Sequence, residues 1–256
     1  MDRELENKVA VVTGGAGGIG REACRVLARE GASIVAVDLS DSVSETVAMV
    51  SAMGGRAKAV KADVSDPADV ERYLDAAEEF GGIDLLFNNA GIFAQPHPLD
   101  ADYPVDVFDQ VLKVNVRGVW LGMRGAFPRM AAKGGGVVVN TSSVAGLRGY
   151  AGVGPYVTSK HAVIGLTRHA AAEGGPLGIR VVAVCPATVE TTMGDEVRAM
   201  FGGDEAFAEY IQRTVPMGRL VKPHEVAEVV AFLMSDRASS ITGSAIPIDG
   251  GVAATG

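Results

Sequence analysis

Tyr156 and Lys160 stand at i and i+4 near the start of a predicted helix, which puts both side chains on one face within reach of a common ligand. A phenol ionises near pH 10, and a nearby ammonium favours the phenolate, so the pair is a usable acid–base unit. Ser143 lies upstream, at the end of the strand-like segment 136–142, where open α/β sheets place their ligands. A second group of residues suits a phosphate. Thr13 to Gly20 follow the first strand-like segment, with Gly14, Gly18 and Gly20 in a G-x-x-x-G-x-G spacing that also holds Gly17 and Ile19. Such a turn needs positive φ and close backbone approach, and the helix that follows offers free N–H groups to a pyrophosphate. A tight strand-to-helix connection uses the same residues, so the turn alone does not decide. Asp38 closes the second strand-like segment, where an acid accepts hydrogen bonds from an adenosine ribose. Its charge would repel a 2′-phosphate, and neither Gly17 nor Leu39 supplies a cation, so the expected cofactor is NAD. Capping of the helix that begins near Ser42 is the plainer role for Asp38.

The elements that must position these groups are legible from hydrophobic pattern. Seven short β-branched runs, at 8–13, 33–38, 57–63, 84–89, 136–142, 179–186 and 245–249, are nearly continuous in apolar character and do not alternate, the pattern of strands covered on both faces. Helical spacing fills 21–30, 67–80, 105–133, 156–173 and 224–235, and Gly31 is a natural stop for the first of these. The alternation predicts one doubly wound domain over 1–256, an α/β Rossmann fold with a predominantly parallel seven-stranded sheet. Between Pro186 and Pro223 the alternation lapses into helix-like pieces without a strand, and 188–215 is expected to form a small helical lid. Its apolar side chains suit closure over a ligand and packing on the core equally well.

Composition removes several classes of function. A net charge of -8 with no basic run argues against nucleic acid. No apolar run is long enough to span a membrane, and 1–8 carry both charge signs, unlike a signal peptide, so the cytoplasm is the expected compartment. Cys24 and Cys185 lack partners at metal-ligand or disulfide spacing, so no metal is expected.

Taken together, these motifs resemble the short-chain dehydrogenase/reductase family of the classical type, from about Lys8 to Gly251. Thr13 to Gly20 resemble its cofactor turn, Asp63-Val64 its adenine contact and Asn88-Asn89-Ala90-Gly91 its N-N-A-G strand end. Asn115, Ser143, Tyr156 and Lys160 match its catalytic tetrad, and Pro186 and Thr191, with Val189 between them, fit its P-G-x-x-x-T nicotinamide segment. Ile241-Thr242-Gly243 and Asp249-Gly250-Gly251 resemble its C-terminal signature. Ala187 departs from that pattern, because the family usually has glycine there, and puts the pose of the cofactor in question.

The resemblance implies reversible hydride transfer between NAD and a secondary alcohol or ketone. Tyr156 would exchange the alcohol proton and Ser143 would hold the same oxygen. Lys160 would tune Tyr156 and bind the nicotinamide ribose, and Asn115 would hold a water linking Lys160 to solvent. It also implies a homotetramer built through the helices near 105–133 and 156–173 and the C-terminal segment. Ile92, Phe93, Val144, Leu147, Tyr150, Val153 and Met193 are expected to form an apolar pocket for a hydrophobic or cyclic small molecule, with His97 in a loop that could face it. An NADPH-dependent 3-oxoacyl thioester reductase and a non-catalytic NAD-binding scaffold are the alternatives. A hydrolase is rejected, since Thr141 to Ala145 lack the glycines of a nucleophile elbow.

Overall fold

A computed structural model describes residues 3–100 and 102–255. Seven strands, β1 (Val9–Thr13), β2 (Ser33–Asp38), β3 (Ala57–Lys61), β4 (Leu85–Asn88), β5 (Gly136–Thr141), β6 (Ile179–Pro186) and β7 (Ala245–Ile248), form one sheet in the order β3-β2-β1-β4-β5-β6-β7. Every pairing is parallel. The order reverses between β1 and β4, and the crevice above that switch point is where ligands of such sheets bind.

Because strand side chains alternate between faces, each apolar strand feeds two cores. Ala10, Val12, Ile34 and Phe87 pack with α1 (Gly18–Arg29), α2 (Val43–Ala52) and α9 (Pro223–Met234). Val9, Val11, Val35 and Leu86 pack on the other face with α3 (Pro67–Asp75), α5 (Val119–Ala132) and α6 (Gly154–Gly174). The doubly wound expectation therefore holds, with all pairings parallel.

The long helix expected over 105–133 is interrupted. α4 (Val105–Leu112) and α5 are joined by a π-helical turn, Lys113–Gly118, and the wide turn carries Asn115 inward, where it is buried. The lapse after β6 contains α7 (Thr192–Ala199) and α8 (Asp204–Thr214), and a single bridge from Val189 to Val221 adds the extended pairing that hydrophobic pattern did not suggest. Phe207, Ile211, Val215 and Val252 form a third, small core beneath these helices. Among the described residues no helix is long and apolar enough to cross a membrane.

Candidate active site

The carboxyl ends of β1, β4 and β5 are laced together by side chains. Thr13 Oγ1 accepts from Asn89 N at 3.0 Å and Ala90 N at 3.1 Å, Asn89 Nδ2 donates to Thr13 O at 3.1 Å, and Thr141 Oγ1 donates to Asn89 Oδ1 at 3.3 Å. The glycine turn sits on this seam. Gly14 takes φ +69°, and a Cβ on Gly20 would meet Gly14 O at 2.0 Å, so α1 can start against the strand end only with glycine at that position. Gly17, at the N-cap of α1, has no side-chain cap, and a Cβ there would meet nothing within 4 Å. The first N–H groups of α1 are thus presented to open space, with no acidic side chain in the first turn.

Asp38 does not cap the next helix. Its carboxylate accepts from Ala16 N at 3.0 Å and Ser40 N at 2.9 Å, which ties the glycine turn to the end of β2. Arg21, the nearest guanidinium along α1, is paired with Glu45 at 3.0 Å. Leu39 is exposed.

At the other end of the crevice, Ser143 ends the β5 segment with its Oγ accepting from Ala145 N at 3.1 Å. α6 presents Tyr156 and Lys160. Ser142 Oγ donates to Lys160 O at 2.8 Å, and Lys160 Nζ donates to Thr141 O at 2.9 Å, so the buried lysine is held to the β5 end by both its backbone and its tip. Its Nζ lies 5.4 Å from the centroid of the Tyr156 ring. Phe93 packs edge-on against the same ring, at 4.9 Å. Burial pushes Tyr156 up to about 12, with the Ser143 hydroxyl pulling it back, and pushes the Lys160 ammonium down to about 8. The protein by itself therefore raises the phenol, against the lowering expected from Lys160. Asn115, expected to hold a water, spends its carboxamide on protein. Its Oδ1 accepts from Ile92 N at 2.8 Å, and its Nδ2 donates to Ile92 O at 3.0 Å and to Ser159 Oγ at 3.1 Å.

One cavity of about 670 Å³ joins these parts. Gly14, Gly17, Gly18, Ile19, Asp38, Asn89, Ala90, Gly91, Ser143, Tyr156, Lys160, Pro186, Val189 and Thr191 all line it. Gly20, Leu39, Asp63, Val64 and Asn115 do not. Gly20 packs on the turn, Val64 is buried against Gly118, and the Asp63 carboxylate accepts from Ser65 N at 2.8 Å and Ser65 Oγ at 2.6 Å. Those bonds hold Asp63 below the usual carboxylate range.

Of the expected apolar wall, Phe93, Val144, Tyr150, Val153 and Met193 line the cavity, whereas Ile92 and the exposed Leu147 do not. Nor does His97, whose ring instead meets Tyr103 at 5.0 Å. Phe201, Tyr210, Ile211, Val215 and Val252 complete the wall. Most of them were visible only as apolar residues of a helix, and nothing in the sequence pointed to Val252. Ala187 also lines the cavity, and since Asn7 is the only non-glycine residue with positive φ among those described, its methyl group meets no backbone strain.

A polar crevice at the switch point, a helix N-terminus bare of acids, an acid at the end of β2 and a Ser–Tyr–Lys group opening on an apolar wall define a dinucleotide-dependent oxidoreductase. The comparisons with known proteins agree. Residues 14–253 match the family model described as enoyl-(acyl carrier protein) reductase. The chain is 38% identical over 252 residues to cyclohexanol dehydrogenase of Acinetobacter sp. (strain SE19), covering 98% of this chain and 96% of that protein. It is 40% identical over 255 residues to levodione reductase of Leifsonia aquatica, covering 97% and 95%. A crystal structure of levodione reductase superposes with a TM-score of 0.94 at 40% identity, covering 98% of this chain and 100% of that one. Carveol dehydrogenase from Mycobacterium avium, in complex with NAD, gives 0.93 at 32% identity, covering 97% and 98%. A Beutenbergia cavernae protein described as an NAD(P)-dependent gluconate 5-dehydrogenase, with NADP bound at low occupancy, gives 0.92 at 34% identity and full coverage of both chains, 100% and 100%. The chain belongs to the short-chain dehydrogenase/reductase family, of the classical type, and is an oxidoreductase of alcohols and ketones.

Proposed function

We propose that this chain, as one catalytic domain, interconverts a hydrophobic or cyclic secondary alcohol and its ketone with NAD, using Tyr156 as acid and base. The observation that carries the reading is the single cavity in which Ser143 and Tyr156 lie between Asp38 with the glycine turn and the apolar wall. Names of similar proteins, cyclohexanol dehydrogenase, levodione reductase and carveol dehydrogenase among them, support a cyclic substrate.

The residues fit a dinucleotide. The bare α1 N-terminus suits the pyrophosphate, Asp38 the adenosine ribose, Lys160 and Tyr156 the other ribose, and Val189 and Thr191 the nicotinamide end. When bound, oxidised NAD supplies a hydride acceptor and a positive charge. Ser143 then holds the substrate oxygen, and Tyr156 takes its proton in oxidation or returns it in reduction. Lys160 has its tip fixed at Thr141 O, which places a compact positive charge beside the phenol while Tyr156 gives up its proton. The apolar wall excludes water from the reacting carbon.

The Asp38 carboxylate at the end of β2 and the pairing of Arg21 with Glu45 weigh against an NADPH-dependent 3-oxoacyl thioester reductase. We also place the enzyme in the cytoplasm, where its two buried, unpaired thiols suit a reducing environment, and as a homotetramer joined partly through Phe108 and Trp120, which α4 and α5 leave exposed.

Titration with NADH and NADPH, combined with turnover of cyclohexanone and cyclohexanol, tests the reading. Tight NADH and weak NADPH binding are expected, and Tyr156→Phe should lose about 10²- to 10⁴-fold in kcat while still binding NADH. Near-normal turnover in that variant ends the assignment. Asp38→Ala with Leu39→Arg should move the preference toward NADPH, and an unchanged ratio would remove Asp38 as the ribose reader.

A further inference from the structure

The mostly apolar wall that completes the cavity carries two phenols. Tyr150 comes from the loop between Ser143 and α6, and Tyr210 from α8, so elements distant in sequence bring them to one cavity. Each ring is fixed from behind. The Arg148 guanidinium lies 4.8 Å from the Tyr150 centroid and also donates to Val252 O at 3.3 Å, so it joins that ring to the C-terminal turn. Phe201 holds the Tyr210 ring at 4.4 Å.

Other hydroxyls nearby are spent or belong elsewhere. Thr214 Oγ1 donates to Tyr210 O at 2.7 Å, and Thr191 Oγ1 caps α7 through Gly194 N at 3.2 Å. Thr188 and Thr192 flank the stretch assigned to the nicotinamide. Tyr210 lines the cavity from α8, and a phenol is both donor and acceptor. Val252, whose carbonyl takes the Arg148 guanidinium behind Tyr150, belongs to the small core on which Tyr210 packs, so both phenols sit toward the same end of the cavity.

We infer that the substrate carries a second oxygen, a hydroxyl or carbonyl on the same small apolar skeleton, which Tyr150 and Tyr210 hydrogen-bond while Ser143 and Tyr156 act on the first. This rests on the reading of Ser143 and Tyr156 given above. A ligand that offers a methyl group there is penalised, because a phenol loses water to it without regaining a partner.

The test is reduction by NADH of 2-, 3- and 4-hydroxycyclohexanone, each against the methylcyclohexanone of the same substitution, which matches it in size. At one position at least, the hydroxy ketone should have a kcat/KM about tenfold above its methyl partner, the gain of roughly one well-made hydrogen bond. In Tyr150→Phe or Tyr210→Phe that ratio should fall toward one. Affinity for NADH, measured alongside, reports whether either variant has disturbed the fold. A methyl ketone preferred at every position, or a ratio that both variants leave unchanged, overturns the contact to a second oxygen while leaving the Tyr156 reading intact. Reduction of none of the ketones would overturn both.

Discussion

The two sides of the cavity are built on different principles. At the strand ends, Thr13, Asp38, Asn89, Ser142 and Lys160 each bond a residue far away in sequence, and the groups they hold are polar. Across from them, α7 and α8 rest on four buried apolar side chains. Arg198 reaches Asp195 and Asp204 only at 4.0 Å, and Gly202 and Gly203 separate the helices with positive φ. Proton and hydride transfer demand that reacting groups be fixed to a fraction of an ångström, which a laced seam between parallel strands provides. Recognition of an apolar skeleton asks mainly for shape, and a small independent core can supply it while still opening.

That contrast breaks most visibly at Phe207. Removing a buried phenyl from a core costs about 3–5 kcal/mol, and here the third core has few other members to absorb the loss. Phe207→Ala should therefore expose 192–215 to proteolysis and hydrogen exchange and lower kcat/KM for the ketone, while NADH affinity changes less than twofold. A parallel loss of NADH binding would show that the two sides fold as one unit.

The laced side should instead answer to pH. Lys160 is lowered to about 8 by burial, so between that value and the ordinary lysine value the unfolded chain binds more protons than the folded one. Stability conferred by this site then rises with pH from about 8 to 10.5, and the cost of burying the charged form is greatest below that window. Relative to the wild type, Lys160→Met should be favoured at pH 7 by up to roughly 3 kcal/mol more than at pH 10.5, the shift expressed as free energy. Urea melts of both proteins across that range check it, and a difference independent of pH would mean that the fold does not lower the lysine.

Within the glycine turn the two neighbours should behave unlike each other. Gly20→Ala drives a methyl group into Gly14 O and should cost about 1–3 kcal/mol together with NADH binding. Gly17→Ala has open space and an extended backbone, so it should leave the melting temperature within about a degree and act on NADH affinity alone. Equal destabilisation by both would mean that the turn is not packed as described.

The same division governs what could be read from sequence. Strand runs, the glycine spacing, Asp38 and the Ser143, Tyr156 and Lys160 set were legible because each obeys a short-range rule, strand burial, positive φ or helical i, i+4 spacing. The π-helical turn that swings Asn115 onto Ile92 and Ser159 follows no such local rule. Neither does the arrival of Val252 beside α8, which depends on Asp249 accepting from Gly251 N and Ala253 N to curl the chain end back over the cavity. Cavity walls assembled from the chain end, a loop and two helices are tertiary facts, and composition carries only their apolarity.

Ala187 lies where the two sides meet and gives the finest test. Glycine is usual at this place in the family, yet the backbone N of Ala187 donates to Ile248 O at 3.2 Å and its φ is not positive, so the position makes no demand that only glycine can meet. The methyl group packs against two of the cores at once, that of α1, α2 and α9 and the small one beneath α7 and α8. Ala187→Gly should therefore destabilise the protein by about 0.4–1 kcal/mol, through freedom gained by the unfolded chain and a small loss of packing. Differential scanning calorimetry detects a change of that size as a few degrees at most. A gain in stability or a tighter hold on NADH in the variant would show instead that the methyl group strains the junction, and that the laced side and the apolar side compete for this residue.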